Sequence, residues 1–144
     1  MKNQRISPDI RIFEIGKIFT KNEKGIQENR MVGGVVTGDN SVFYEAKGVV
    51  DFLLQKLGLT DVWYDEYQAT PKQSRDALWH TTRTAELRTT KKNIGFVGEI
   101  SRNIATHMKF VQRVAAFYID IEKLKSGARV DVNPEKKHPA DFAV

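Results

Sequence analysis

A chain of 144 residues, 40% apolar and 28% charged, has the size and composition of one globular domain with a real core. It has no cysteine, which excludes a disulfide framework and thiolate chemistry, and no apolar run near the roughly 18 residues needed to cross a bilayer. The formal net charge of +5 is unevenly spread, with 12 basic and 7 acidic side chains in residues 81–144, a pattern that fits either a solvated face or an anionic partner. The N-terminus, Met1 to Arg5, leads into no signal-like apolar stretch, and the expected location is cytoplasmic.

Ile10 to Phe19 is rich in Ile and Phe, but its apolar phase shifts between Ile12 and Phe13. That predicts a strand buried on both faces or carrying a bulge. Thr20 to Gln27 is polar with Asn22 and Gly25 and is expected to be a loop. Met31 to Thr37 returns as a strand, and Gly33-Gly34 within it implies close approach by a neighbour. Val42, Ala46, Val49, Val50, Leu53 and Leu57 recur at helical spacing. An N-cap is available in Asp39-Asn40-Ser41, with Glu45 in the first turn, Lys56 in the last and Gly58 beyond the end. Val62 to Tyr67 is expected to be a strand, and Ala85 to Thr89 with Ile94 to Ile100 a hairpin around Lys91-Lys92-Asn93. Ser101 can cap a short helix through Met108. Val114 to Ile121 is an apolar strand, and a helical turn through Leu124 ends at Gly127. The polar stretch 129–144 has too little apolar content for a domain of its own, so a core over 1–128 is followed by a tail or linker. Strands that cluster as hairpins predict an α+β fold, a mainly antiparallel sheet flanked by helices.

Catalytic signatures are scarce. There is no phosphate-binding P-loop, no His-Glu-x-x-His and no nucleophile elbow, and His80, His107 and His138 are scattered in sequence. A small hydrolase therefore has no supporting residue set, and neither a metal nor a cofactor site is expected. Glu14, Glu99 and Asp120 lie in apolar strands. Burying a carboxylate is costly unless it is paired, and Arg83, Arg88 and Lys47 are candidate partners. The functional alternative is an acid or a cation ligand; the structural one is an edge position or an ion pair that fixes register.

Read in order, six segments resemble the β subunit of phenylalanyl-tRNA synthetase, in its non-catalytic synthetase-like core. They are Arg11-Ile12-Phe13-Glu14-Ile15-Gly16-Lys17-Ile18-Phe19, the strand end Val35-Val36-Thr37-Gly38, and the helix start Phe43-Tyr44-Glu45-Ala46-Lys47-Gly48. His80-Thr81-Thr82-Arg83-Thr84-Ala85 follows, then Ile94-Gly95-Phe96-Val97-Gly98-Glu99 and Ala116-Phe117-Tyr118-Ile119-Asp120. The resemblance spans roughly residues 10–125. It departs from the family pattern at Thr81-Thr82, where Pro-Gly is usual, and at Ser101-Arg102, where His-Pro is usual. Family β subunits are far longer, so the resemblance implies an excised or truncated piece.

The resemblance also implies a class II synthetase-like fold without an active site. It implies packing against a catalytic α subunit, with ATP and magnesium used by the parent complex to attach phenylalanine to its tRNA. An active class II site holds ATP phosphates with arginines, whose guanidinium forks suit the task. Phe19-Thr20-Lys21-Asn22-Glu23 has no Arg where the first is expected, and Gly98-Glu99 is followed by Ile100. In this reading Glu14, Gly16, Lys47, Gly48, His80, Arg83, Gly98 and Glu99 are structural. A free-standing RNA-binding module is the other reading, with Lys91, Lys92, Arg102, Lys109 and Arg113 as the phosphate-contacting set.

Overall fold

Arg11–Asn22 forms β1 and returns as β2, Gly25–Gly38, in unbroken antiparallel register from Arg11 opposite Val36 to Asn22 opposite Gly25. The computed structural model describes residues 9–67 and 78–126. The expected loop over Thr20 to Gln27 is instead strand on both sides of a two-residue turn, Glu23-Lys24. Asn22 Oδ1 accepts the Lys24 N–H at 2.9 Å and Gly25 takes a φ of +117°, both turn chemistry. Apolar alternation could not reveal this arm, because nearly all of it is exposed on both faces. Nor is β1 buried on both faces. It is the edge strand of the sheet, and its phase shift puts Phe13 and Ile15 on one face and Ile12 and Ile18 on the other.

The predicted helix is α1, Val42–Lys56, with Gly58 in the left-handed region at φ +68° just past its end. Asp39 Oδ1 accepts the Ser41 N–H at 2.8 Å, and Arg11 Nη2 reaches Glu45 Oε2 at 2.7 Å, joining β1 to the first turn. The Arg11 guanidinium holds the Glu45 carboxyl below its usual range. Val42, Ala46, Val50 and Leu54 are the buried stripe. The expected stripe differs by a small rotation: Leu54 enters it, while Val49 and Leu57 stay largely exposed.

The remaining elements are β3 (Trp63–Glu66), β4 (Trp79–Arg88), β5 (Asn93–Ile100), α2 (Arg102–His107), β6 (Arg113–Asp120) and α3 (Ile121–Lys125). One antiparallel sheet results, in the order β1-β2-β6-β5-β4-β3, with the core between its centre and α1. β4 starts earlier than the expected Ala85, because its register slips between Trp79 and Thr84 and breaks the sequence alternation. Val97, Ala115, Phe117, Ile119, Leu87 and Ile94 are buried against α1 and α3 residues.

Two glycines allow this packing. The Phe117 ring lies over Gly34, where a Cβ would overlap it, and a Cβ at Gly95 would strike the Tyr118 carbonyl. Gly34→Ala should therefore cost about 1–3 kcal/mol. Adding Phe117→Leu should recover part of the loss, because a side chain can yield. The obstacle at Gly95 is backbone, so Gly95→Ala should not be rescued by trimming Tyr118. Urea midpoints of the four variants check both expectations.

Candidate functional site

The strongest polar constellation sits on β4, β5 and β6. Glu99 is buried to 3% exposure and its carboxylate takes two arginines. Arg83 approaches it bidentately, through Nε to Oε2 and through Nη2 to Oε1 at 3.2 Å; Arg113 Nη1 reaches Oε1 at 2.7 Å. Burial alone would raise the Glu99 carboxyl. The hydrogen bonds and charges of Arg83 and Arg113 outweigh it and hold the group below its usual value. Every oxygen is engaged and both cations keep contact with solvent, so this cluster ties three strands together.

Two further sites are also built as fastenings. Asp120 Oδ1 accepts the N–H groups of Glu122 and Lys123, each at 3.0 Å, and so caps α3. Lys47 lies 3.0 Å from Asp51 and 4.1 Å from the centre of the Tyr64 ring, while the Tyr64 hydroxyl donates to Asp51 at 2.5 Å. Burial first, and the Asp51 hydrogen bond second, push the Tyr64 phenol far above its ordinary value. That trio joins α1 to β3.

On the same face of the sheet as α1, beside it, is an open apolar groove of about 390 Å³. Its floor is β1 and β2, with Phe13, Ile15 and Val32. Its wall is α1, with Val49, Phe52 and Leu53. Phe13 is 76% exposed and Phe52 60%. Further along the same face of the hairpin Phe19 and Ile26 are also more than half exposed, separated from the groove by Lys17, Glu28 and Arg30. Scattered exposed apolar residues are normal, but a groove lined by several of them marks a contact surface.

A family model for the phenylalanyl tRNA synthetase beta chain CLM domain matches residues 2–121. This chain belongs to that family. Among its relatives, the phenylalanine–tRNA ligase β subunit of Thermosynechococcus vestitus is 29% identical over 134 residues, covering 83% of this chain and 16% of the relative. That of Trichormus variabilis is 30% identical over 125 residues, covering 78% and 15%. That of Staphylococcus aureus strain MSSA476 is 32% identical over 135 residues, covering 85% and 16%. The chain thus spans about one sixth of the length of these relatives. Its fold is shared by the solved Desulfitobacterium hafniense PylSc, a pyrrolysyl tRNA synthetase, with a TM-score of 0.64 at 15% identity over 86% of this chain and 44% of that one.

Within this β chain domain, the residues singled out from sequence do not converge on one place. Arg83 and Glu99 meet directly. Lys47 pairs with Asp51 on its own helix, four residues on, and with no strand carboxylate. Arg88 lies 3.5 Å from Glu86 and 4.0 Å from Asp65. Glu14 is exposed on the edge strand. His80 Nδ1 receives the Thr82 N–H at 3.2 Å. A Cβ at Gly98 would overlap the Trp79 ring and Thr84, whereas Gly16 meets only the Glu14 side chain and Gly48 faces open space; nothing in the structure explains a glycine at Gly48.

The basic set is divided. Lys91 and Lys92 stand at the β4–β5 turn, with Lys92 on Ser126 Oγ at 2.7 Å. Arg102, Lys109 and Arg113 lie beyond the other end of β5, roughly 25 Å away at strand rise, and Arg113 is committed to Glu99. His138 and the stretch 129–144 lie outside the described residues. Sequence reasoning placed Arg113 in the basic set and not beside Glu99, and it singled out neither Asp51 nor Tyr64; only Asp51 left a signal, its i,i+4 spacing from Lys47.

Glu99→Ala should cost about 3 kcal/mol, the low end for a broken buried pair because both arginines reach water. Arg83→Ala should cost less, since Arg113 stays on the carboxylate. The folded-state value of Glu99 is lowered, so its stabilisation is complete above about pH 4.5 and drains as pH falls through that lowered value. The stability gap between wild type and Glu99→Gln should accordingly narrow on acidification, measured by denaturant unfolding between about pH 6 and pH 3.

Proposed function

We propose that this domain is a non-catalytic scaffold of the β subunit of phenylalanine–tRNA ligase. It packs against the catalytic α subunit of a cytoplasmic complex that uses ATP and magnesium to attach phenylalanine to its tRNA. Membership of the β chain family supports the setting, and likeness to a solved tRNA synthetase supports reading the sheet as class II synthetase-like. The observation that carries the scaffold role is the exposed apolar groove beside α1, with further exposed apolar side chains along the hairpin. Phe13 and Ile26 are each 76% exposed and Phe19 is 65% exposed. Burying such side chains contributes about 1.5–3 kcal/mol apiece, which favours a stable protein interface over a solvated surface.

The polar groups support the same role. Glu99, Asp120 and Asp51 each have their partners inside the fold, and none is left to act on a substrate. The β1 end carries Lys21 and Lys24, without the arginine forks that hold nucleotide phosphates elsewhere. A free-standing RNA-binding module is the weaker reading, because its basic set is split between two ends of the sheet.

Capture of the source organism's α subunit by this chain, with and without tRNA, tests the proposal. Binding of α in the absence of tRNA is expected, and the chain alone should give no phenylalanine-dependent exchange of pyrophosphate into ATP. Salt-sensitive capture of tRNA without α would overturn the scaffold role.

A further inference from the structure

The Glu99 cluster carries more positive charge than fastening the strands requires. One guanidinium neutralises a buried carboxylate, yet Glu99 takes two, Arg83 and Arg113, which leaves a cation in surplus. Arg83 Nη2 and Arg113 Nη1 meet on the same oxygen, Oε1, at 3.2 and 2.7 Å, so the two guanidinium groups are held side by side. A guanidinium has more N–H donors than one carboxylate can use. Arg83 gives two to Glu99 and Arg113 gives one. The remaining donors meet no other protein acceptor among the described residues, and the two side chains are 30% and 38% exposed.

The surroundings reinforce that surplus. The stretch from Ile100 to Gln112, which joins β5 to β6, contains no carboxylate and adds Arg102 and Lys109. Arg102 Nη1 reaches the Val111 carbonyl at 3.4 Å, two residues before Arg113. Across the sheet Arg113 stands opposite Gly38, next to Asp39, but Asp39 is occupied by Ser41, and Glu45 by Arg11. The buried Glu99 carboxylate also fixes both arginines before a ligand arrives, which lowers the ordering cost of binding. Adjacent guanidinium forks suit a tetrahedral oxyanion, whose several oxygens can bridge them, whereas a single fork already fills a carboxylate. We propose that Arg83 and Arg113, braced by Glu99, hold one phosphate group, either of a small phosphomonoester or of a nucleic-acid backbone. The site stands on this cluster alone and does not depend on the scaffold reading.

Arginine side-chain N–H resonances of the full chain, followed by NMR as inorganic phosphate is added at constant ionic strength, test it. The Nε–H signals of Arg83 and Arg113 should shift together and saturate, with a Kd on the order of 1–10 mM for a partly exposed site. Arg113→Gln leaves the Arg83–Glu99 pair in place and should weaken binding at least about tenfold. Lys91→Gln removes the same charge at the β4–β5 turn and should leave binding unchanged. Urea midpoints separate a lost site from a lost fold, and the wild-type shifts carry the test even where Arg113→Gln is unstable.

A tRNA that shifts the same two arginines at lower concentration than phosphate does would support the site and assign it to a backbone phosphate. Phosphate binding that tRNA does not displace would support it and assign it to a small phosphomonoester. Equal shifts with acetate would overturn the phosphate assignment in favour of a carboxylate. Absence of saturable shifts, no loss in Arg113→Gln, or an equal loss in Lys91→Gln would overturn the site and leave the arginines as strand fastenings only. None of these outcomes depends on capture of the α subunit, so failure here and failure of the scaffold reading are distinguishable.

Discussion

Among the described residues one long helix, the fifteen-residue α1, supplies most of the cover of a six-stranded sheet. At about 10 Å across, with strands about 4.8 Å apart, one helix shields two or three strands and no more. α1 is spent on the centre, over β2, β6 and β5, where the most apolar strands lie. Everything peripheral has to be stabilised in another way or left open. The β3 edge is fastened by the trio of Tyr64, Asp51 and Lys47, and the β6 end by the cap that Asp120 puts on α3. The β1 edge is tied to α1 at one point, Arg11 with Glu45, and beyond that it is open. The groove lies along the part of β1 that α1 does not cover.

Polar groups are buried at the Arg113 end of the sheet, where Glu99 meets Arg83 and Arg113. A carboxylate held by two partly hydrated guanidinium groups bridges three strands without needing apolar cover, and it specifies their register, because a slip of one residue would turn Glu99 to the other face. The family resemblance at Gly98-Glu99 thus coincides with a strand fastening.

Much of this was legible in the residues. The order of strands and helices, the limits of α1 and the antiparallel class all follow from periodicity, capping residues and the clustering of hairpins. Gly33-Gly34 announced the close approach that Phe117 makes. Arg83 could be suggested for Glu99 because the alternatives were few. Arg113 could not, since its position depends on the pairing of β5 with β6, and no local pattern states a register. The hairpin arm was misread as a loop for the opposite reason: exposed on nearly every side, it needs no apolar alternation, and its turn is set by Asn22 and Gly25 alone.

The same distinction bears on which surface carries function. An apolar residue on an edge strand has no local reason to be apolar, since solvent would accept Thr or Lys there and β-propensity alone is a weak preference. Ile12, Phe13, Ile15, Ile18 and Phe19 nevertheless crowd one strand with both faces accessible, the arrangement that isolated proteins avoid because an open apolar edge invites aggregation. Basic residues interrupt it at Arg11, Lys17 and Lys21, which keeps the strand from pairing with itself but does not hide it from an acidic partner. An edge strand with this many exposed apolar side chains suits a contact surface better than a solvated one.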